Sequence, residues 1–80
     1  MLKPDITIDF GHVVRRHRQS LKLSQEALGE AAGIHATHVS LIERGQRSAS
    51  LRVAKAIAIA LDQPLNVLVL EAEAVGRRGQ

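Results

Sequence analysis

The sequence predicts an all-α fold, a compact bundle of five short helices, from three observations. Apolar residues recur at helical spacing, as in Leu51, Ala54, Ile57, Ala58 and Leu61. Asp9, Ser24 and Ser50 stand just before three such runs, where a side-chain oxygen can cap a helix start. Gly33 and Gly45 follow two of them, where a helix ends most easily.

Taken in order, residues 1–8 read as an arm, because Pro4 discourages helix and Ile6-Thr7-Ile8 suits an extended piece. Asp9 is expected to cap a first helix running to about Gln19, with Phe10, Val13, Val14 and His17 inward. Ser24 caps a second helix, Gln25 to Ala32, with Ala27, Leu28 and Ala31 on one face. Gly33 stops it and Ile34 plugs the turn. A third helix runs from Ala36 to about Arg44 with Val39 and Ile42 inward, and Gly45 ends it. Ser50 caps a fourth, Leu51 to Leu61, whose inner side is Leu51, Ala54, Ile57, Ala58 and Leu61. Pro64 opens a fifth, reaching about Glu73. The organisation is therefore an arm (1–8), one domain (9–75) and a flexible tail (76–80).

Composition narrows the function. Eighty residues make one domain. With no cysteine there is neither a disulfide framework nor a thiolate metal site. No apolar run is long enough to span a membrane, and the first ten residues do not read as a signal peptide, so a cytoplasmic location is expected. The net charge is +3, with basic clusters at Arg15, Arg16, Arg18 and Lys22 and at Arg44, Arg47, Arg52 and Lys55. Such clusters favour an anionic partner. Phe10 is the only aromatic residue, which disfavours single strands and RNA bound by stacking.

No paired carboxylates, phosphate-cradling glycine loop or nucleophile with a base stands out, so an enzyme is not expected. Nor is a cofactor or a small-molecule ligand. Among the four histidines, His12 and His17 are five apart and His35 and His38 straddle a helix start. Neither spacing makes a metal site.

The informative stretch is Leu23 to Leu51, LSQEALGEAAGIHATHVSLIERGQRSASL. A capped short helix, a glycine turn and a second short helix make a helix-turn-helix. In that motif the second, recognition helix enters the major groove of DNA. Ala27 is small where the helices approach, and Ile34, Val39 and Ile42 fill the wedge.

Arg18, Leu23-Ser24-Gln25-Glu26, Leu28, Ala32-Gly33-Ile34, Val39-Ser40, Glu43-Arg44-Gly45 and Ile57-Ala58 with Ala60-Leu61 resemble the lambda-repressor and Cro type of helix-turn-helix family. Within it, Ile34-His35, Thr37, Arg47 and Ser50-Leu51 are similar to the controller proteins of restriction–modification systems. Ala36 stands where such proteins often have arginine, and His38 where they have an aromatic residue. Gln63 and Pro64 also depart from their pattern. An operator sequence therefore does not carry over.

The resemblance implies a sequence-specific regulator of transcription on double-stranded DNA. Expected base contacts are Ala36, Thr37, His38, Ser40 and Leu41. Expected phosphate contacts are Arg18, Ser24, Gln25, His35, Arg44 and Arg47. Arg18 is implied to pair with Glu43 and so tie the first helix to the recognition helix. A second functional class stays open: an antitoxin-type module that binds a toxin.

In Leu65-Asn66-Val67-Leu68-Val69-Leu70 apolar residues occupy too many helix faces. Leu65 and Leu68 can close the core, which leaves Val67, Val69, Leu70 and Val75 for a homodimer interface.

Overall fold

The computed structural model describes residues 5–78, with side chains described through residue 76. Five helices follow one another: α1 Ile6–Ser20, α2 Gln25–Ala32, α3 Ala36–Glu43, α4 Leu51–Ala60 and α5 Leu65–Arg78. No strand occurs among the described residues. The core draws on every helix: Phe10, Val13 and Val14; Leu28; Val39 and Ile42; Ala54, Ile57 and Ala58; Leu68 and Ala72, with Leu61 after α4. Ile34 and Leu65 pack against it, half-buried.

Ser24 and Ser50 cap as expected, their Oγ atoms accepting from Ala27 N–H at 2.9 Å and Val53 N–H at 3.1 Å. Gly33 ends α2 in the left-handed region, with φ +74°. Ile34 N–H then reaches back to the Gly29 carbonyl at 2.9 Å, and Gly33 N–H to that of Glu30 at 3.3 Å. These bonds satisfy carbonyls that the helix end would otherwise orphan.

Four expectations need correction. The first helix starts three residues before Asp9. Asp5 is its cap, its Oδ1 accepting from Thr7 N–H at 2.9 Å. Ile6, Thr7 and Ile8 are thus helical rather than extended, and Asp9 lies in the first turn. A β-branched residue loses only a few tenths of a kcal/mol in a helix, so tertiary packing prevails. Here Ile8 sits against Gly45 and Ile6 beside the core residue Phe10. Of the expected arm, residues 1–4 lie outside the described residues.

Leu51, expected inward, is 81% exposed. It is the first residue of α4, next to the Ser50 cap. There it lines an apolar groove of about 220 Å³ with Ile6, Phe10, Leu65 and Val69.

The fifth helix continues past Glu73 to Arg78, taking in residues 76–78 of the expected tail. Contacts with α1 support the extension. Arg16 and His17 hold Glu71, and Gly76 lies so near Asp9 that an added Cβ would come within 2.9 Å of its carboxylate.

Finally, α2 does not bury the whole of its expected face: Leu28 is buried and Ala27 half-buried, but Ala31 is exposed, and it is Gly29 that goes in beside Leu28. A Cβ on Gly29 would lie 2.6 Å from the Ile34 carbonyl oxygen, inside contact distance.

Candidate nucleic-acid interface

One buried carboxylate organises the site. Glu43, at the end of α3, is 3% exposed. Arg18 of α1 donates to it twice, from Nε to Oε2 at 2.7 Å and from NH2 to Oε1 at 3.1 Å. Gln25, the first residue of α2, adds a bond from Nε2 to Oε1 at 3.1 Å. A further N–H of Arg18 reaches the Leu23 carbonyl at 2.7 Å. The implied Arg18–Glu43 pair is therefore present, in the bidentate geometry that the planar guanidinium favours. It joins α1, α2 and α3, and no buried side-chain polar atom among the described residues lacks a partner.

This network changes what two expected phosphate contacts have to offer. Arg18 is only 12% exposed along its side chain, and three of its five N–H groups are engaged internally. The Gln25 amide gives one donor to Glu43 and retains another.

With Val39, Ile42 and Glu43 buried, the opposite side of α3 faces out. Thr37, Ser40, Leu41 and the capping Arg44 follow at intervals of three and four and form one outward stripe. Thr37 and Arg44 are exposed, and Ser40 and Leu41 half-buried. Ala36 and His38, both half-buried, flank the stripe on either side. Arg44 Nε lies 3.4 Å from the Ser40 carbonyl, a weak bond that leaves the rest of the guanidinium free to turn outward. Ser24 and Arg47 are exposed at the two ends of the motif.

His35, expected as a phosphate contact, caps α3, its Nδ1 accepting from Thr37 N–H at 3.2 Å.

A second polar cluster went unforeseen in the sequence. His17 Nε2 lies 2.6 Å, and Arg16 NH2 3.0 Å, from Glu71 Oε1. His17 therefore reaches across to α5 instead of filling an apolar position. The hydrogen bond from His17 comes first among the influences that hold the Glu71 carboxyl below its ordinary value, and burial opposes it.

On α5, Leu70 is 68% exposed and Val67, Val69 and Val75 are half-buried. No three His, Asp or Glu side chains among the described residues come together as a metal site. No single helix among them is long and apolar enough to cross a membrane.

Short capped helices meeting at a glycine turn, with an anchored second helix showing a polar outer face, define a DNA-binding helix-turn-helix domain of the XRE/Cro type, like those of transcriptional regulators. The helix-turn-helix family profile matches residues 14–68, and the chain belongs to that family. Among solved structures it is similar to the restriction–modification controller protein C.AhdI from Aeromonas hydrophila, with 37% identity and a TM-score of 0.76 over 78% of this chain and 94% of that one. Two further likenesses show the fold alone. The clp gene regulator ClgR from Corynebacterium glutamicum has 20% identity and a TM-score of 0.91, covering 98% of this chain and 83% of that one. The controller protein C.Esp1396I has 19% identity and a TM-score of 0.80, covering 91% and 92%. No curated protein sequence matches significantly.

Proposed function

We propose that this protein is a sequence-specific transcriptional regulator that binds a palindromic operator as a homodimer. The observation that carries the proposal is the division of α3 into two faces. Its inner face is fixed through Glu43 to α1 and α2, while Thr37, Ser40 and Leu41 face away from the fold. A reading element must be held rigidly and yet leave its polar groups free, and α3 meets both conditions.

Thr37 and Ser40 supply hydrogen bonds to base edges. Ala36 and Leu41 offer apolar surface to thymine methyls, and His38 adds one donor or acceptor from the flank. Ser24, Gln25 and His35 at helix starts, with Arg44 and Arg47 beyond α3, hold the phosphates. Arg18 acts chiefly by positioning, and its remaining N–H groups can reach a phosphate.

Val67, Val69, Leu70 and Val75 form the dimer surface, which leads through Val69 into the apolar groove beside Leu51. Two-fold pairing would bring a second recognition helix to the same side of the duplex about one helical turn away. The likeness to C.AhdI favours a restriction–modification system as the setting. Ala36, in place of a guanine-reading arginine, gives this chain an operator of its own.

The test is selection of bound duplexes from a random library, followed by footprinting. The expected result is two inverted half-sites protected on one face of the helix. Recovery of unrelated sequences, with no common half-site, would overturn the proposal.

A further inference from the structure

The helices α1, α2 and α4 are capped by side-chain oxygens, those of Asp5, Ser24 and Ser50. The recognition helix α3 is capped by a nitrogen. Thr37 N–H donates to His35 Nδ1 at 3.2 Å, and His35 has the extended backbone of a cap, with φ −71° and ψ 148°. The difference is chemical. A ring nitrogen that accepts a hydrogen bond carries no proton, so the bond selects the neutral imidazole with its proton on Nε2.

Protonation removes this cap. Nδ1 would then bear a hydrogen facing the Thr37 N–H, donor against donor. The charge would also sit at the positive end of the helix. The helix itself would persist, because the His35 carbonyl still accepts from His38 N–H at 2.9 Å and Val39 N–H at 3.2 Å. What loosens is the first turn, which holds Ala36 and Thr37.

The ring is exposed at the corner where α2 meets α3. The titratable groups on those elements are Glu26 and Glu30 of α2 and His38 and Glu43 of α3. Glu43 is committed to Arg18 and Gln25, and none of the four bonds to the His35 ring.

We propose that His35 is a positioning residue for DNA reading: its neutral ring fixes the turn that carries Ala36 and Thr37, and its protonation lowers selectivity between duplexes rather than overall affinity. The proposal rests on the DNA-binding function above. Selectivity falls because the base-reading turn loosens. Affinity does not, because a protonated ring is itself drawn to phosphate.

The test uses the full chain in a His38→Gln background, which removes the other histidine of α3. Binding is measured to a library-selected duplex and to a scrambled duplex of the same composition, at pH 8 and pH 5.5. The ratio of the two affinities is expected to fall about three- to tenfold at the lower pH, the size of a lost side-chain cap. Adding His35→Asn supplies an oxygen cap at either pH and should hold the ratio constant. Adding His35→Ala should give a low ratio at both. An unchanged ratio in the background protein, or one pH response shared by all three proteins, would overturn the proposal.

If no protein prefers either duplex, the DNA-binding function fails, and the cap is then judged alone. Nitrogen-15 spectra of the His35 ring should show a proton on Nε2 and an accepting Nδ1. Exchange of the Thr37 amide should accelerate in His35→Ala. A proton on Nδ1 at pH 8 would overturn the cap itself.

Discussion

Removing Glu43 should cost this domain much of its stability. The carboxylate is 3% exposed and accepts three side-chain hydrogen bonds, two from Arg18 and one from Gln25. Glu43→Ala leaves the Arg18 guanidinium enclosed without its counter-charge, and Arg18→Ala leaves the carboxylate in the same position. Breaking a buried pair from one side costs about 3–5 kcal/mol, largely because of the orphaned charge. At roughly 0.05–0.15 kcal/mol per residue, a domain of this size has about 4–12 kcal/mol in all. Either single variant should therefore be marginal or partly unfolded at 37 °C. The double variant Arg18→Ala, Glu43→Ala removes both charges and should cost less than the sum of the singles, by about 1–3 kcal/mol. Urea unfolding followed by circular dichroism gives all four corners of the cycle. Single losses below about 1 kcal/mol, the range of an exposed pair, would refute the claim that this network anchors α3. So would strict additivity.

Other outcomes follow from the same geometry. Gly29→Ala should destabilise by at least about 1–3 kcal/mol, although alanine is the better helix former, because its Cβ would meet the Ile34 carbonyl oxygen; thermal melts check this. Since Glu71 titrates below its ordinary value of 4.5 when folded, its contribution is complete above that value and fades as the pH falls through the lower, folded one. The stability gap between the native protein and Glu71→Gln should thus be widest near neutrality and narrow as the pH falls below 4.5, as urea midpoints from neutrality downward would show. Val67→Glu with Leu70→Glu should give a folded monomer that binds a palindromic duplex weakly; sedimentation that finds the native protein already monomeric, on and off DNA, would exclude the dimer.

The centre of the fold was legible because its signals are local. Ser24, Gly33, Gly45 and Ser50 each mark a helix end within a residue or two, and the core face of α3 follows from spacing, whereas α2 buries Leu28 and Gly29 and leaves Ala31 exposed. At the ends of the chain the signals misled. Pro4 and a β-branched triplet argue for extended chain, yet packing beside Gly45 and Phe10 outweighs so small a propensity. Leu51 has the correct spacing for the core but lines an open groove, and sequence spacing does not say which residues of a periodic face end up covered.

Long-range pairs were the least visible. Arg18 and Glu43 are separated by 25 positions and His17 and Glu71 by 54. The first pair was expected only through family likeness, and the second had no signal. Gly11 and Gly29 did carry one, as helix-interior glycines with no local purpose. Both mark close approaches, of α1 to the end of α3 and of α2 to the turn. The capping nitrogen of His35 was missed because capping preferences favour oxygen.

The most direct measurement compares Thr37→Ala and Arg47→Ala in binding to a selected and an unrelated duplex across a salt series. Thr37 is exposed on the outward stripe of α3, and Arg47 in the loop beyond it. Arg47→Ala should weaken binding to both duplexes and reduce the logarithmic salt slope by about 1, the value of one lost phosphate contact. Thr37→Ala should leave the slope intact and narrow the preference between duplexes. Equal losses from both substitutions, with slope and preference unchanged, would contradict the assignment of α3 as the reading element.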